Sequence, residues 1–136
     1  MTPTARESYA RLGDGTYAIA LGDAHVLIDP VCGLGANAAS LAAFVLGEAI
    51  AEGGPFDENF CQEVDRRRLP GVMAHFDFTN FMLHPQPQLF DVIGAMSQNP
   101  ALADDFTDNF TDPARQLEHL ASSDAAGAYI GSFAAG

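Results

Sequence analysis

Gly22-Asp23-Ala24-His25-Val26-Leu27-Ile28-Asp29-Pro30-Val31-Cys32-Gly33-Leu34-Gly35-Ala36-Asn37 is the stretch on which the reading of this 136-residue chain turns. Just before it, the apolar run Tyr17-Ala18-Ile19-Ala20-Leu21 ends on Gly22-Asp23, as a buried strand ends in a loop. His25-Val26-Leu27-Ile28-Asp29 is a second extended piece, stopped by Pro30, which disfavours helix in the residue before it. Gly33-Leu34-Gly35 then turns the chain into residues 36–51, rich in Ala and Leu, apolar all round and ended by Gly53-Gly54-Pro55. The order is strand, acidic turn, extended peptide, glycine turn, buried helix.

Each part has a use beside a flat, polar-edged ring such as a flavin. A carboxylate at a strand end, here Asp23, accepts hydrogen bonds from sugar-type hydroxyls and suits a ribityl chain. Gly33 and Gly35 lack side chains, so the backbone approaches a ring closely and turns tightly. The unpaired N–H groups around Leu34, Gly35, Ala36 and Asn37 carry partial positive charge and would stabilise negative charge arriving on the ring. Plainer readings stand beside these: Asp23 as a turn aspartate, Asn37 as a helix-start residue bonding its own backbone, Cys32 as a small buried filler and His25 as a packed strand residue.

Outward from this segment, residues 2–14 are polar and mixed, with a turn at Gly13-Asp14-Gly15. Residues 56–83 show a helical pattern with Val64, Leu69, Val72, Phe76 and Leu83 near one face, and Pro70 is expected to kink or restart it. Arg66, Arg67 and Arg68 are expected to pair with Asp57, Glu58, Glu63 or Asp65, with docking to a further domain as the rival role. Phe76, Phe78, Phe81 and Met82 read first as core and second as the lining of an aromatic pocket. Shorter helices follow at about 88–97, 100–110, 113–120 and 123–133, with cap and first-turn signals at Asn99-Pro100 and Asp112-Pro113. The fold class is therefore α+β and predominantly helical: one or two short strands lead into the turn and helix, a helical region follows, and an open sheet edge is expected.

Composition narrows the function. Hydrophobic residues make up 48% of the chain, ten residues are Phe, and the content suits one folded domain. Acidic residues outnumber basic ones 18 to 6, for a formal charge of −12, so nucleic acid and anionic membranes are not expected partners. Cys32 and Cys61 have no CxxC spacing and no secretory signal is evident, which points to a reducing cytoplasm. The longest apolar stretch, 38–51, falls short of the ~20 residues a bilayer span needs. His75, His84 and His119 lack metal-ligand spacing.

Gly22-Asp23-Ala24-His25, Asp29-Pro30 and Gly33-Leu34-Gly35-Ala36-Asn37-Ala38 together resemble the second flavin-binding motif of aromatic flavoprotein monooxygenases. The chain is most similar to the oxygenase component of styrene and indole monooxygenases, which shows patterns like Asp65-Arg66-Arg67-Arg68-Leu69-Pro70, Asn80-Phe81-Met82 and Asn109-Phe110-Thr111-Asp112-Pro113. The resemblance spans roughly residues 3–130. It implies FAD as cofactor, a small aromatic substrate, a separate flavin reductase, and oxygen transfer through a flavin C4a-(hydro)peroxide. In that pattern Asp23 holds the ribityl hydroxyls, Pro30 sits beside the isoalloxazine, and Gly33, Leu34, Gly35, Ala36 and Asn37 wrap its pyrimidine end. The cofactor supplies the chemistry, so no side-chain acid or base is assigned.

The chain departs from the family by lacking the GxGxxG turn that would hold the FAD pyrophosphate and the substrate-binding sheet. Residues 1–136 are thus expected to be a single partial domain, the C-terminal portion of an FAD-dependent monooxygenase with an FAD/NAD(P)-binding fold. The competing expectation is an inactive truncated or split-protein module that associates, with itself or another chain, through an exposed apolar face. A small helical domain with an unrelated ligand is a third.

Overall fold

A computed structural model describes residues 2–134. The α+β, helix-dominated expectation holds: six helices account for most of these residues, and the strands are two or three residues long. Contacts gather in two units, Met1–Thr79 and Asn80–Gly136, with the longest helix running on past the boundary between them.

The first unit opens with two strands absent from the reading of the sequence, β1 (Thr4–Ala5) and β2 (Tyr9–Arg11). The expected strands are present but shorter, as β3 (Tyr17–Ile19) and β4 (Val26–Leu27). They form two antiparallel ribbons, β1 with β4 and β2 with β3. Tyr9 lies opposite Ile19 and Arg11 opposite Tyr17, while Thr4 lies opposite Leu27. Each ribbon has too few residues to bury a face by itself, so the helices supply the core. Val26 and Ile28 pack with Ala38, Ala42 and Val72, flanked by Leu21, Met73 and Phe76.

Helix α1 (Gly35–Glu52) ends at Gly53, and α2 covers Glu58–Leu83. Pro70 lies inside α2 without interrupting it, although proline removes one backbone donor there. The next residue, Gly71, allows a close approach to α1: a Cβ at this position would stand 2.5 Å from Leu41 Cδ2. The arginine run divides three ways. Arg66 pairs with Glu63 as expected, Arg67 reaches Glu52 on α1, and Arg68 pairs with Asp65 at 2.8 Å with its side chain fully buried. Arg68 also donates to the carbonyls of Ala20 (2.8 Å) and Ser8 (3.3 Å), and the Ser8 hydroxyl donates to Asp65. A guanidinium with five donors in a fixed fork thus ties α2 to the ends of both strands of one ribbon.

The second unit holds α3 (Pro87–Met96), α4 (Pro100–Asp108), α5 (Pro113–His119) and α6 (Ser123–Ser132). Three of them start on a side-chain cap: Asn99 accepts from Leu102 N, Asp112 from Arg115 N and Ser122 from Ala125 N. Leu89, Val92, Leu102, Phe106, Leu120 and Tyr129 are buried. Asp105 gathers the polar groups, accepting from Arg115 through both oxygens (2.9 and 3.0 Å), from the Tyr129 hydroxyl (2.9 Å) and from Asn109 (3.2 Å). His119 stacks flat on Tyr129 with ring centres 4.0 Å apart.

Candidate functional site

The segment singled out in the sequence folds as two short 3-10 turns around β4. The first, Gly22–Ala24, carries Asp23 with its side chain exposed. Arg6 fixes this turn from the end of β1, its guanidinium donating to the Asp23 carbonyl and its amide to the His25 carbonyl, both at 2.8 Å. Gly22 lies against α1, where an added Cβ would be 3.5 Å from that of Ala39. The acidic turn is therefore held beside the second turn of α1.

The second turn, Pro30–Cys32, begins on Asp29, whose carboxylate accepts from the Val31 amide at 3.0 Å. Gly33 ends it in the left-handed region at φ 67°, a conformation that costs a side-chain-bearing residue about 1 kcal/mol or more. Leu34 follows and is buried. No side chain caps α1, and its first main-chain bond is from Ala38 N to Leu34 O at 3.1 Å. The amides of Gly35, Ala36 and Asn37 have no acceptor among the described residues. Pro30, Gly33, Ala36 and Asn37 are exposed around this helix start and Gly35 is half-buried. The Asn37 side chain makes no hydrogen bond to its own backbone, so that plainer reading is not realised here.

The structure thus brings a surface carboxylate, a left-handed glycine and a run of free amides onto one segment. An open-edged acceptor such as the carbonyl of a polar ring meets donors here that nothing in the segment occupies. Behind this surface the chemistry is inert. His25 is buried in the first unit, and burial, helped by the nearby Arg68 charge, lowers its pKa and keeps it neutral. Cys32 is half-buried; burial raises its thiol pKa and the Asp29 charge adds to this, against a lowering contact from the buried Thr79 hydroxyl. A protonated thiol is a poor nucleophile, which favours the packing role. Of the aromatic set, Phe78 is fully buried and Phe76 joins the core.

Two residues, one holding the segment and one anchoring the ribbon that leads into it, were not singled out for this in the sequence. Arg6 lies in a stretch that reads as polar loop, and only its pairing neighbours Thr4 and Ala5 reveal the strand. Arg68 reads as one of three equivalent surface cations, and nothing local marks it as the buried one.

No protein-family model matches the chain. Two curated proteins align with 98% of it: styrene monooxygenase StyA of a Pseudomonas species, at 37% identity over 138 aligned positions, and styrene monooxygenase StyA of Pseudomonas fluorescens, at 36%. The kinship read from the motif residues is borne out. The chain spans about a third of the length of these curated relatives.

Proposed function

We propose that this chain, a relative of one third of styrene monooxygenase, is the C-terminal portion of such an oxygenase and supplies the ring and ribityl side of its FAD site. The observation that carries the reading is the uncapped start of α1 behind left-handed Gly33, with exposed Asp23 alongside. The donor set fits the cofactor's polar ring edge: acceptor-only carbonyls meet donor-only amides. Asp23 is the group for the ribityl hydroxyls and Pro30 the surface beside the ring. The amides of Gly35, Ala36 and Asn37 are the donors for the pyrimidine end, with Gly33, whose own amide is held by the Pro30 carbonyl, and buried Leu34 shaping the turn that aims them. Reduced FAD supplies the oxygen activation when bound, and a separate reductase is its source of electrons.

Within this reading the residues orient and stabilise. Positive partial charge at the start of α1 eases accumulation of negative charge on the ring. The neutral His25 and the protonated Cys32 add no competing nucleophile or charge behind it. The substrate is a small apolar aromatic molecule, and the compartment is the cytoplasm. No described helix is long and apolar enough to cross a membrane. The partial FAD-monooxygenase fold belongs to the same proposal.

An amide-resolved NMR titration of the 136-residue chain with FAD tests it. Shifts confined to the amides of residues 22–25 and 33–37 are expected. Affinity should be millimolar or weaker, since the chain has no pyrophosphate-binding turn. Shifts spread over the second unit, or none in these two segments at ~10 mM FAD, would sink the assignment.

A further inference from the structure

The basic residues of this chain are all arginine, and acidic residues outnumber them 18 to 6. Arg66, Arg67, Arg68 and Arg115 each hold a carboxylate, whereas Arg6 and Arg11 hold none among the described residues. Arg11 stands at the end of β2 beside Gly15, with no hydrogen bond from its guanidinium to a described residue. Arg6 is fastened. Its amide donates to the His25 carbonyl and one Nη to the Asp23 carbonyl, and the register that sets Ala5 opposite Val26 fixes the main chain from which it reaches.

The bond to Asp23 uses one of the five donors of the guanidinium, and Nε and Nη2 meet no acceptor among the described residues. Neither the adjacent Glu7 nor the Asp23 carboxylate forms an ion pair with it. The residue is exposed, and the amides of Gly22 and Asp23 on the turn it holds also lack an acceptor among the described residues. A fixed, charged fork with open donors matches an oxyanion that can take two hydrogen bonds at once.

We propose that Arg6 is a binding residue for the phosphate that ends the ribityl chain of the flavin. The inference rests on the flavin reading, which puts the ring at the start of α1 and the ribityl hydroxyls on Asp23. The next group along the cofactor from those hydroxyls is a phosphate, and the next unspent cation along the protein is the one bonded to the Asp23 main chain. One arginine does not replace a glycine-rich turn, so binding of whole FAD stays weak. Its effect is to separate phosphorylated from unphosphorylated flavin.

The test titrates the full chain into dilute riboflavin or flavin mononucleotide, reads binding by flavin anisotropy, and follows the arginine Nε–H groups by NMR. The mononucleotide should bind about tenfold more tightly than riboflavin, a preference lost in Arg6→Gln, reduced in Arg6→Lys and kept in Arg11→Gln. Arg6→Lys retains a donor for the Asp23 carbonyl, so it separates loss of the phosphate contact from loss of the turn. In the unsubstituted chain the mononucleotide should shift the Arg6 Nε–H signal and riboflavin should not. Equal binding of the two flavins, or a loss in Arg11→Gln as large as in Arg6→Gln, would overturn the proposal. Riboflavin that leaves residues 33–37 unshifted counts against the flavin reading instead. Inorganic phosphate then decides the subsite: a shift at Arg6 Nε–H alone supports it, and equal shifts at Arg11, or none, overturn it.

Discussion

The two units of this chain solve opposite problems with their polar groups. In the second, Asp105 accepts from Arg115, Tyr129 and Asn109, and three helices begin on side chains of their own sequence. In the first, the helix start at Gly35 has no cap, the β3 edge has no neighbour and Asp23 faces solvent. Satisfied polar networks hold one arrangement, whereas unsatisfied surface donors are groups a ligand or partner can claim. The second unit is closed largely by its own side chains, apart from the buried Gln116 Oε1, whereas the first leaves donors and acceptors open at its surface. The one strongly saturated cluster of the first unit, around Arg68, sits behind that surface and holds it in shape.

Arg68→Met breaks the contrast most severely. It leaves the partly buried Asp65 without its cation and frees the Ser8 and Ala20 carbonyls, for an expected loss of about 3 kcal/mol in urea unfolding, with NMR shifts concentrated in residues 2–79. Tyr129→Phe, in the second unit, removes one hydrogen bond to a carboxylate and should cost about 1.5–3 kcal/mol while leaving the first unit's spectrum unchanged. Gly33→Ala strains a left-handed residue without creating a clash, for about 1 kcal/mol, and should abolish the FAD-induced shifts at residues 33–37.

The smallest effects are in pH. The His25 pKa is lowered by burial, so its contribution to stability is whole above the ordinary value of 6.5 and is lost as pH falls toward the depressed folded value. Tyr129 runs the other way: burial and the Asp105 carboxylate raise its pKa above 10, so its contribution is whole below pH 10 and fades at higher pH. Acid melting led by first-unit signals and alkaline melting led by second-unit signals would sharpen the comparison. Simultaneous loss in both arms would erase it.

The sequence was legible where local rules decide. Asn99-Pro100 and Asp112-Pro113 start helices as their capping chemistry requires, and the Gly33 turn opens α1 where glycine is needed. It was illegible where partners are distant. β1 and β2 carry too few apolar residues to announce themselves, and they exist because Leu27 and Ile19 lie opposite them. Pro70 reads as a breaker, yet α2 continues through it. The site was half visible: Asp23 and residues 33–37 were marked by type and spacing, while Arg6 and Arg68 act through contacts 17 and 48 residues away in the chain.

The missing side chain at Gly71 bears on the proposed flavin surface from a distance. Leu41 occupies the space a methyl group would need, and it lies six residues along the same rigid rod as Gly35. At a rise of ~1.5 Å per residue, the contact is only ~9 Å from the amides that open that rod. A graded series at position 71, from glycine through alanine to serine, would press on α1 in small steps, and the free amides at its tip would register each step as a change in where they aim.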